Sequence, residues 1–196
     1  MEAPLEKKLT SALERLAQAQ RVLLWQTAEP LGLSPIQALI LLHLHLREPS
    51  TRRVGVLAQY FDLTPATISD AVSALVTKGL LIRHPGRDRR THTLELTPAG
   101  LEYVDKLKDW DYPIQHALRA LQTTQKEALY DLLLALLARL VEDSVITVVR
   151  MCLLCRHLHS QSGKYHCTLL QKPLLAPQLR VDCPEFSPGA QPDGRC

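Results

Sequence analysis

Residues 54–96 have the sequence VGVLAQYFDLTPATISDAVSALVTKGLLIRHPGRDRRTHTLEL, in which the apolar spacing changes from helical to alternating. Two short helical patterns come first, Val54–Phe61 and Ile68–Val76, joined by a tight connection. Thr64 followed by Pro65 is typical of a helix start, because the hydroxyl accepts an unpaired backbone N–H and proline has none to lose. Gly79 suits the helix end. The stretch therefore predicts a helix-turn-helix.

The second of these helices has the side chains expected of a helix that enters the major groove of DNA. Its predicted exposed side carries mostly small polar residues, which let the backbone approach base edges and phosphates. These candidate DNA-binding residues are Thr64, Ala66, Thr67, Ser69, Asp70 and Ser73.

A hairpin with a basic tip is predicted directly after Gly79. Leu80–His84 and Thr91–Leu96 alternate as strands do, around a short turn rich in Gly, Pro and Arg. Arginine suits both phosphate contact and insertion into a narrow minor groove. The candidate residues here are Arg83, Arg87, Arg89 and Arg90, with Asp88 among them.

The rest of the chain predicts further helices. Ser34-Pro35 and Thr97-Pro98 repeat the capping pattern, and Ser34 with Gln37 and Thr124 with Glu127 have the spacing of a capping box. Pro113 should break the helix that begins at Thr97. The expected fold class is mainly α, an α+β winged helix with a cysteine-rich irregular tail. The expected segments are an N-terminal dimerisation helix (1–30), a DNA-binding domain (31–100), a helical dimerisation arm (101–150) and the tail (151–196).

Composition excludes several classes of protein. With 196 residues, 46% hydrophobic and a net charge of +3 (23 basic, 20 acidic), the chain can bury a core and is not a disordered or collagen-like sequence. The absence of a long apolar run or signal-peptide pattern predicts a cytoplasmic protein without membrane contact. No glycine-rich phosphate loop, paired-carboxylate site or nucleophile motif is present, so we expect no enzyme.

Residues 5 to 150 resemble the MarR family of bacterial transcriptional regulators. The most specific parts are Asp88-Arg89-Arg90 in the hairpin and the segment Leu94-Glu95-Leu96-Thr97-Pro98-Ala99-Gly100 after it. The resemblance implies a homodimer in which 64–77 enters the major groove and the hairpin, called the wing, reaches the minor groove. It also implies that Asp88 orients Arg90 or Arg89 and does not touch DNA.

Apolar terminal helices support the dimer. Leucines recur at near-helical spacing from Leu5 to Leu23 and again from Leu129 to Leu140, followed by Val141–Val149. Burial of this surface between two protomers predicts a two-fold dimer and a pseudo-palindromic DNA operator. The alternative is that these helices fold back on their own domain.

All five cysteines lie in the tail. Cys152, Cys155, Cys167 and Cys183 have the spacing C-x2-C-x11-C-x15-C, and Pro184 follows the last; Cys196 is the odd one at the end of the sequence. In a reducing compartment such a cluster more often holds metal than disulfides. Four thiolates suit either zinc or a 4Fe-4S cluster.

We favour the 4Fe-4S cluster over zinc, because zinc sites commonly use two close cysteine pairs, whereas this spacing is similar to that of high-potential iron-sulfur proteins. His157, His159 and His166 are possible replacement ligands. The resulting prediction is a dimeric regulator whose cluster senses redox state, nitric oxide or iron. One alternative is a regulator with a structural zinc tail that responds to a small molecule. The pocket for that molecule would be lined by aromatic residues, unless these belong to the core: Trp25, Tyr60, Trp110 and Tyr112. The other alternative is an electron-transfer enzyme.

Overall fold

The computed structural model describes residues 3–48, 51–85, 92–146, 150–161 and 164–189. The chain divides into two compact units, Met1–Ala117 and Leu118–Cys196. The architecture is mainly helical with small antiparallel sheets, which confirms the predicted fold class. Within the described ranges, no helix is both long enough and apolar enough to cross a bilayer.

The first unit contains five α-helices and a hairpin among its described residues, and a sixth α-helix begins near its end. The elements are α1 (Leu5–Ala28), α2 (Pro35–His45), α3 (Val54–Tyr60), α4 (Pro65–Thr77), β1 (Leu81–Pro85), β2 (His92–Leu96), α5 (Pro98–Leu107) and α6 (Tyr112–Arg119). Ser34, Thr64 and Thr97 are the N-caps of α2, α4 and α5, and each side chain accepts the predicted backbone N–H. The predicted helix-turn-helix and hairpin are therefore confirmed.

The core of this unit holds α4 against the hairpin. Ile68, Val72 and Leu75 of α4 are fully buried, as is Leu94 of β2. Gly79 adopts a φ of +72° after α4, a conformation that glycine accepts without strain. This residue turns the chain so that β1 begins two residues later.

The hairpin strands pair antiparallel, with Leu81 opposite Leu96 and Pro85 opposite His92. The backbone N–H of Leu94 also donates to the carbonyl of Arg52, at 2.8 Å, which joins β2 to the segment before α3. The predicted wing-tip residues Arg87, Asp88, Arg89 and Arg90 lie outside the described residues, and so does the expected orientation of Arg89 or Arg90 by Asp88.

The helical segment after Thr97 is interrupted as predicted. The helix α5 ends at Leu107, and α6 begins at Tyr112 with Pro113 in its first turn. Proline is tolerated in a first turn because the N–H there has no helical partner. The break therefore falls just before the proline.

The second unit consists of α7 (Thr123–Glu142) and a three-stranded antiparallel sheet, β3 (Leu158–Gln161), β4 (Lys164–Cys167) and β5 (Lys172–Leu174). The prediction of an irregular tail is wrong here, because backbone pairing orders these short strands. The capping box predicted at Thr124 is also wrong. Gln122 is the N-cap, and its backbone N–H donates to the side-chain oxygen of Gln125 at 2.9 Å.

Candidate functional site

The outward side of α4 is the predicted DNA-binding surface, and it is exposed. Five of the six candidates are exposed, and Ser69 is half-buried. The hydroxyl of Thr64 accepts the N–H of Thr67 at 3.1 Å and lies 2.9 Å from the Thr67 hydroxyl. The structure thus places five of the candidates on α4 and Thr64 at its N-cap, with the apolar side of the helix in the core.

Arg83 lies on β1 and contacts this helix. Its guanidinium donates to the Ser73 hydroxyl at 2.7 Å and to the Ser69 carbonyl at 3.5 Å. The Ser73 hydroxyl in turn donates to the Ser69 carbonyl at 2.7 Å. Since a guanidinium has five N–H donors, Arg83 can hold α4 and still offer donors to a phosphate.

A groove of about 520 Å³ lies beside Arg83. Its lining residues are Arg53, Val54, Gly55, Val56, Gln59, Ser69, Arg83 and His92. The two guanidiniums give the groove a basic lining that suits phosphate oxygens. Arg53, Gln59 and His92 were not among the residues predicted from the sequence, although the neighbouring pair Arg52-Arg53 directly before α3 was a visible signal.

The leucines of α1 form an apolar surface within the first unit. Leu5, Leu9, Leu13 and Leu16 are between 40% and 66% exposed. Because they recur at helical spacing, they make one contiguous stripe. Contiguous exposed apolar surface is typical of an interaction site.

The leucines of α7 divide into two sets. Leu129, Leu132, Leu133 and Leu136 are exposed, whereas Leu134 is fully buried with Met151, Cys152, Leu174 and Leu179. Part of this helix therefore folds back on its own unit. The helix ends at Glu142, so the predicted continuation through Val145 and Ile146 is wrong, and residues 147–149 lie outside the described residues.

Three of the four aromatic residues considered for a small-molecule pocket are not core residues. Trp25 and Tyr112 are about half exposed, at 50% and 51%, and Tyr60 is 38% exposed. Only Trp110 of the four packs against the buried cluster of the first unit. The alternative that these residues belong to the core therefore fits Trp110 and not Trp25, Tyr60 or Tyr112.

The four spaced cysteines line one cavity of about 280 Å³ in the second unit, and all four are free thiols. Backbone hydrogen bonds bring distant parts of the chain together there. The Cys152 N–H donates to the Arg180 carbonyl at 2.9 Å, and the Cys183 N–H donates to the Arg150 carbonyl at 2.8 Å. Cys167 ends the central strand, opposite Leu158.

The electrostatics of the cavity follow from burial and like charge. Burial raises the pKa of the Cys152 thiol, the Arg180 N–H opposes that rise, and negative charge on the other three cysteines adds to it. No set of three or more His, Cys, Asp or Glu in the described part of the chain converges closely enough to hold a single metal ion. The thiols therefore surround a space and do not meet at one point.

The three histidines considered as replacement ligands differ in position. His157 lines the cavity with the cysteines. His159 and His166 face each other across β3 and β4, are exposed and are not among the lining residues. Cys196 lies outside the described residues.

Comparison with known proteins supports the winged-helix fold of the first unit. Residues 31–91 match the model of the MarR family. The structure is similar to that of a MepR–DNA complex from Staphylococcus aureus, with a TM-score of 0.62, 18% identity and coverage of 70% of this chain and 99% of that chain. The fold is that of the MarR winged-helix proteins.

Two further structures show the same MarR winged-helix fold. A MarR transcriptional regulator from Methanosarcina mazei Go1 has a TM-score of 0.58 and 20% identity, over 68% of this chain and 97% of that one. The transcriptional regulator PA3341 has a TM-score of 0.59 and 25% identity, over 67% and 97%. The comparison with curated proteins found no match. The match to the family model ends at residue 91, so it does not include the cysteine cavity.

Proposed function

We propose that this chain is a DNA-binding transcriptional regulator that acts as a homodimer. The observation that carries the proposal is the exposed side of α4, where small polar side chains lie next to the guanidinium of Arg83. Such a surface can enter the major groove, because nothing bulky keeps the helix backbone from the base edges. That the chain is cytoplasmic and not an enzyme stays a prediction.

Two findings support DNA as the partner. The MarR family model matches 31–91, a range that contains α3, α4 and β1. The similar MepR structure was solved as a complex with DNA. A basic groove that includes Arg53 and Arg83 offers phosphate contacts beside the same helix.

The exposed leucine stripe of α1 supports the homodimer. A second copy of the chain carries the same leucine stripe. In a two-fold dimer, the stripe of one protomer packs against the stripe of the other. Two α4 helices related by this axis would contact two half-sites of a pseudo-palindromic operator.

For the cavity, we propose that Cys152, Cys155, Cys167 and Cys183 hold a 4Fe-4S cluster. Four soft donors around one space have the right chemistry, and their mutual repulsion as thiolates is offset when a cationic centre binds. A single zinc ion needs four sulfurs at about 2.3 Å from one point. The spacing C-x2-C-x11-C-x15-C, with a single close cysteine pair, is the reason to propose the cluster before zinc.

The contacts of Cys152 give the cavity a route to the dimer arm. When bound, a 4Fe-4S cluster supplies a centre whose charge changes with redox state and which nitric oxide or iron loss can remove. Cys152 is buried in the same cluster as Leu134 of α7, beside Met151. The packing of α7 therefore depends on where the Cys152 side chain is held.

The test of DNA binding uses one substitution at two places. Purified Ala66→Glu, Ala99→Glu and wild-type protein are titrated against a labelled duplex from the promoter of their own gene, and fluorescence anisotropy gives the affinity. Ala66 is on the exposed side of α4, so a carboxylate there should repel phosphates and weaken binding at least tenfold. Ala99 is exposed in the first turn of α5, so its variant should bind like wild type. Equal binding by all three proteins would refute the assignment of α4.

A further inference from the structure

One peptide group in the second unit makes two side-chain hydrogen bonds, one at each end. The Tyr130 hydroxyl donates to the Leu179 carbonyl at 2.7 Å. The Arg180 N–H donates to the Sγ of Cys152 at 3.2 Å. The carbonyl of Leu179 and the N–H of Arg180 belong to the same planar amide. A tyrosine on α7 is thus connected to a cavity cysteine through a single amide.

The surroundings strengthen this chain of hydrogen bonds. Leu179 is 2% exposed and Cys152 9% exposed, and Tyr130 packs against the same buried cluster. In a medium of low dielectric constant, a donor on an amide carbonyl polarises the amide and makes its N–H a better donor. The Cys152 N–H also donates to the Arg180 carbonyl at 2.9 Å, which fixes the register of the two segments.

We propose that Tyr130 is a positioning residue for the cysteine site, which holds and polarises the amide that donates to Cys152. Hydrogen bonds to ligand sulfurs tune metal affinity and reduction potential. The proposal rests on the proposed function for what the cavity binds. The series of hydrogen bonds from Tyr130 through the Leu179–Arg180 amide to Cys152, which we call the relay, is a property of the chain itself. It connects α7 to the sulfur through one amide, because the tyrosine is part of that helix.

The same surroundings affect the pKa of Tyr130. Burial raises the pKa of the Tyr130 hydroxyl, negative charge on Cys152 adds to the rise, and a backbone hydrogen bond with Val181 opposes the rise. A tyrosine that only filled space would tolerate loss of its hydroxyl without any change at Arg180 or Cys152. A Tyr130→Phe variant keeps the ring and removes the hydroxyl, so it distinguishes a tyrosine that only fills space from one that polarises the amide.

The first experiment measures amide hydrogen exchange by NMR in metal-free protein, for wild type, Tyr130→Phe and the control Tyr165→Phe. Tyr165 lies on β4 and packs against the same buried cluster. In Tyr130→Phe, the Arg180 amide should exchange about three to ten times faster, because its bond to sulfur weakens. The Cys152 amide serves as the internal reference. Equal acceleration of both amides would mean general destabilisation and would overturn the relay.

The second experiment uses protein reconstituted anaerobically with iron and sulfide. Tyr130→Phe should lose its visible absorbance to a chelator about three to ten times faster than wild type, somewhat less than direct outer-shell partners show. Its midpoint potential should be lower, since a weaker N–H···S bond stabilises the reduced state less. Tyr165→Phe should match wild type in both respects.

The two proposals fail separately. If wild-type protein takes up no iron, the cluster assignment fails, while the exchange rates of Arg180 and Cys152 still decide the relay. If the protein loads iron and Tyr130→Phe loses it at the wild-type rate, the relay is overturned and the cluster assignment stands.

Discussion

The Arg83 guanidinium donates a 2.7 Å hydrogen bond to the Ser73 hydroxyl, which joins the first strand of the wing to the helix α4. Both residues are predicted from the sequence to contact DNA, and that role stays a prediction. Their bond to each other adds a second role, because it fixes the position of the helix against the hairpin before any DNA is present. Pre-organised contacts reduce the ordering that binding requires.

The Arg83–Ser73 pair should show coupled effects on DNA binding. Each single variant, Arg83→Ala and Ser73→Ala, should weaken operator binding, and the double variant should lose less than the sum of the two. We expect a coupling of about 0.5–1 kcal/mol for an exposed hydrogen-bonded pair. Anisotropy titrations of the four proteins complete the cycle, and strict additivity would show that the two side chains act independently.

Gly100 should be intolerant of substitution. A Cβ there would overlap the carbonyl oxygen of Leu80 and lie 3.2 Å from Cδ2 of Leu96. Gly100→Ala should therefore cost about 2–3 kcal/mol of unfolding free energy, through overpacking. Gly55→Ala is the control, because nothing lies within 4 Å of its Cβ position and helical alanine should add about 0.5 kcal/mol. Urea unfolding measures both, and similar values for the two would contradict the packing described.

The leucine stripe of α1 predicts which substitution dissociates the dimer. Leu13→Glu should place a charge in the stripe and convert dimer to monomer, because a buried carboxylate without a partner is costly. Ser11→Glu puts the same charge about 200° away around the helix and should leave the dimer intact. Sedimentation equilibrium gives the masses. A dimer that survives Leu13→Glu would exclude the stripe as its interface.

The cysteine site predicts different results for two serine variants. Cys155→Ser should lose most of its bound iron and sulfide but keep a folded winged helix, since its thiol lines the cavity. Cys196→Ser should retain both, because we assign that thiol no role. Anaerobic purification with iron, sulfide and zinc analysis distinguishes the cases. About one zinc and no sulfide per chain would replace the cluster by the zinc alternative.

Local chemistry explains what the sequence could predict. Ser34, Thr64 and Thr97 were identifiable as caps because each hydrogen bond spans three residues. The change of apolar period after Gly79 indicated the hairpin, in which Leu81 of β1 and Leu94 and Leu96 of β2 pack on the core. The start of α7 was misplaced by two residues because Gln122, a residue type that is uncommon as a cap, performs the role there.

Long-range contacts explain the rest. The strands of the tail are three or four residues long, which is too short for a clear alternation of apolar and polar residues. Contacts with residues far apart in sequence determine what packs beside these strands. The Cys152 thiol and the Arg180 N–H are separated by 28 positions, so no local pattern could predict their hydrogen bond or the role of Tyr130. The cysteine spacing nevertheless identified the four thiols that line one cavity.

The most direct test of the central claim compares two duplexes of equal length, one from the promoter of the protein's own gene and one with the same bases scrambled. Anisotropy titrations in 50 to 200 mM salt give the affinity for each. We predict two chains per promoter duplex and an affinity about a thousandfold higher than for the scrambled duplex, the lower end of the range for specific regulators. Equal affinity for the two duplexes, or no binding to either, would contradict a sequence-specific regulator.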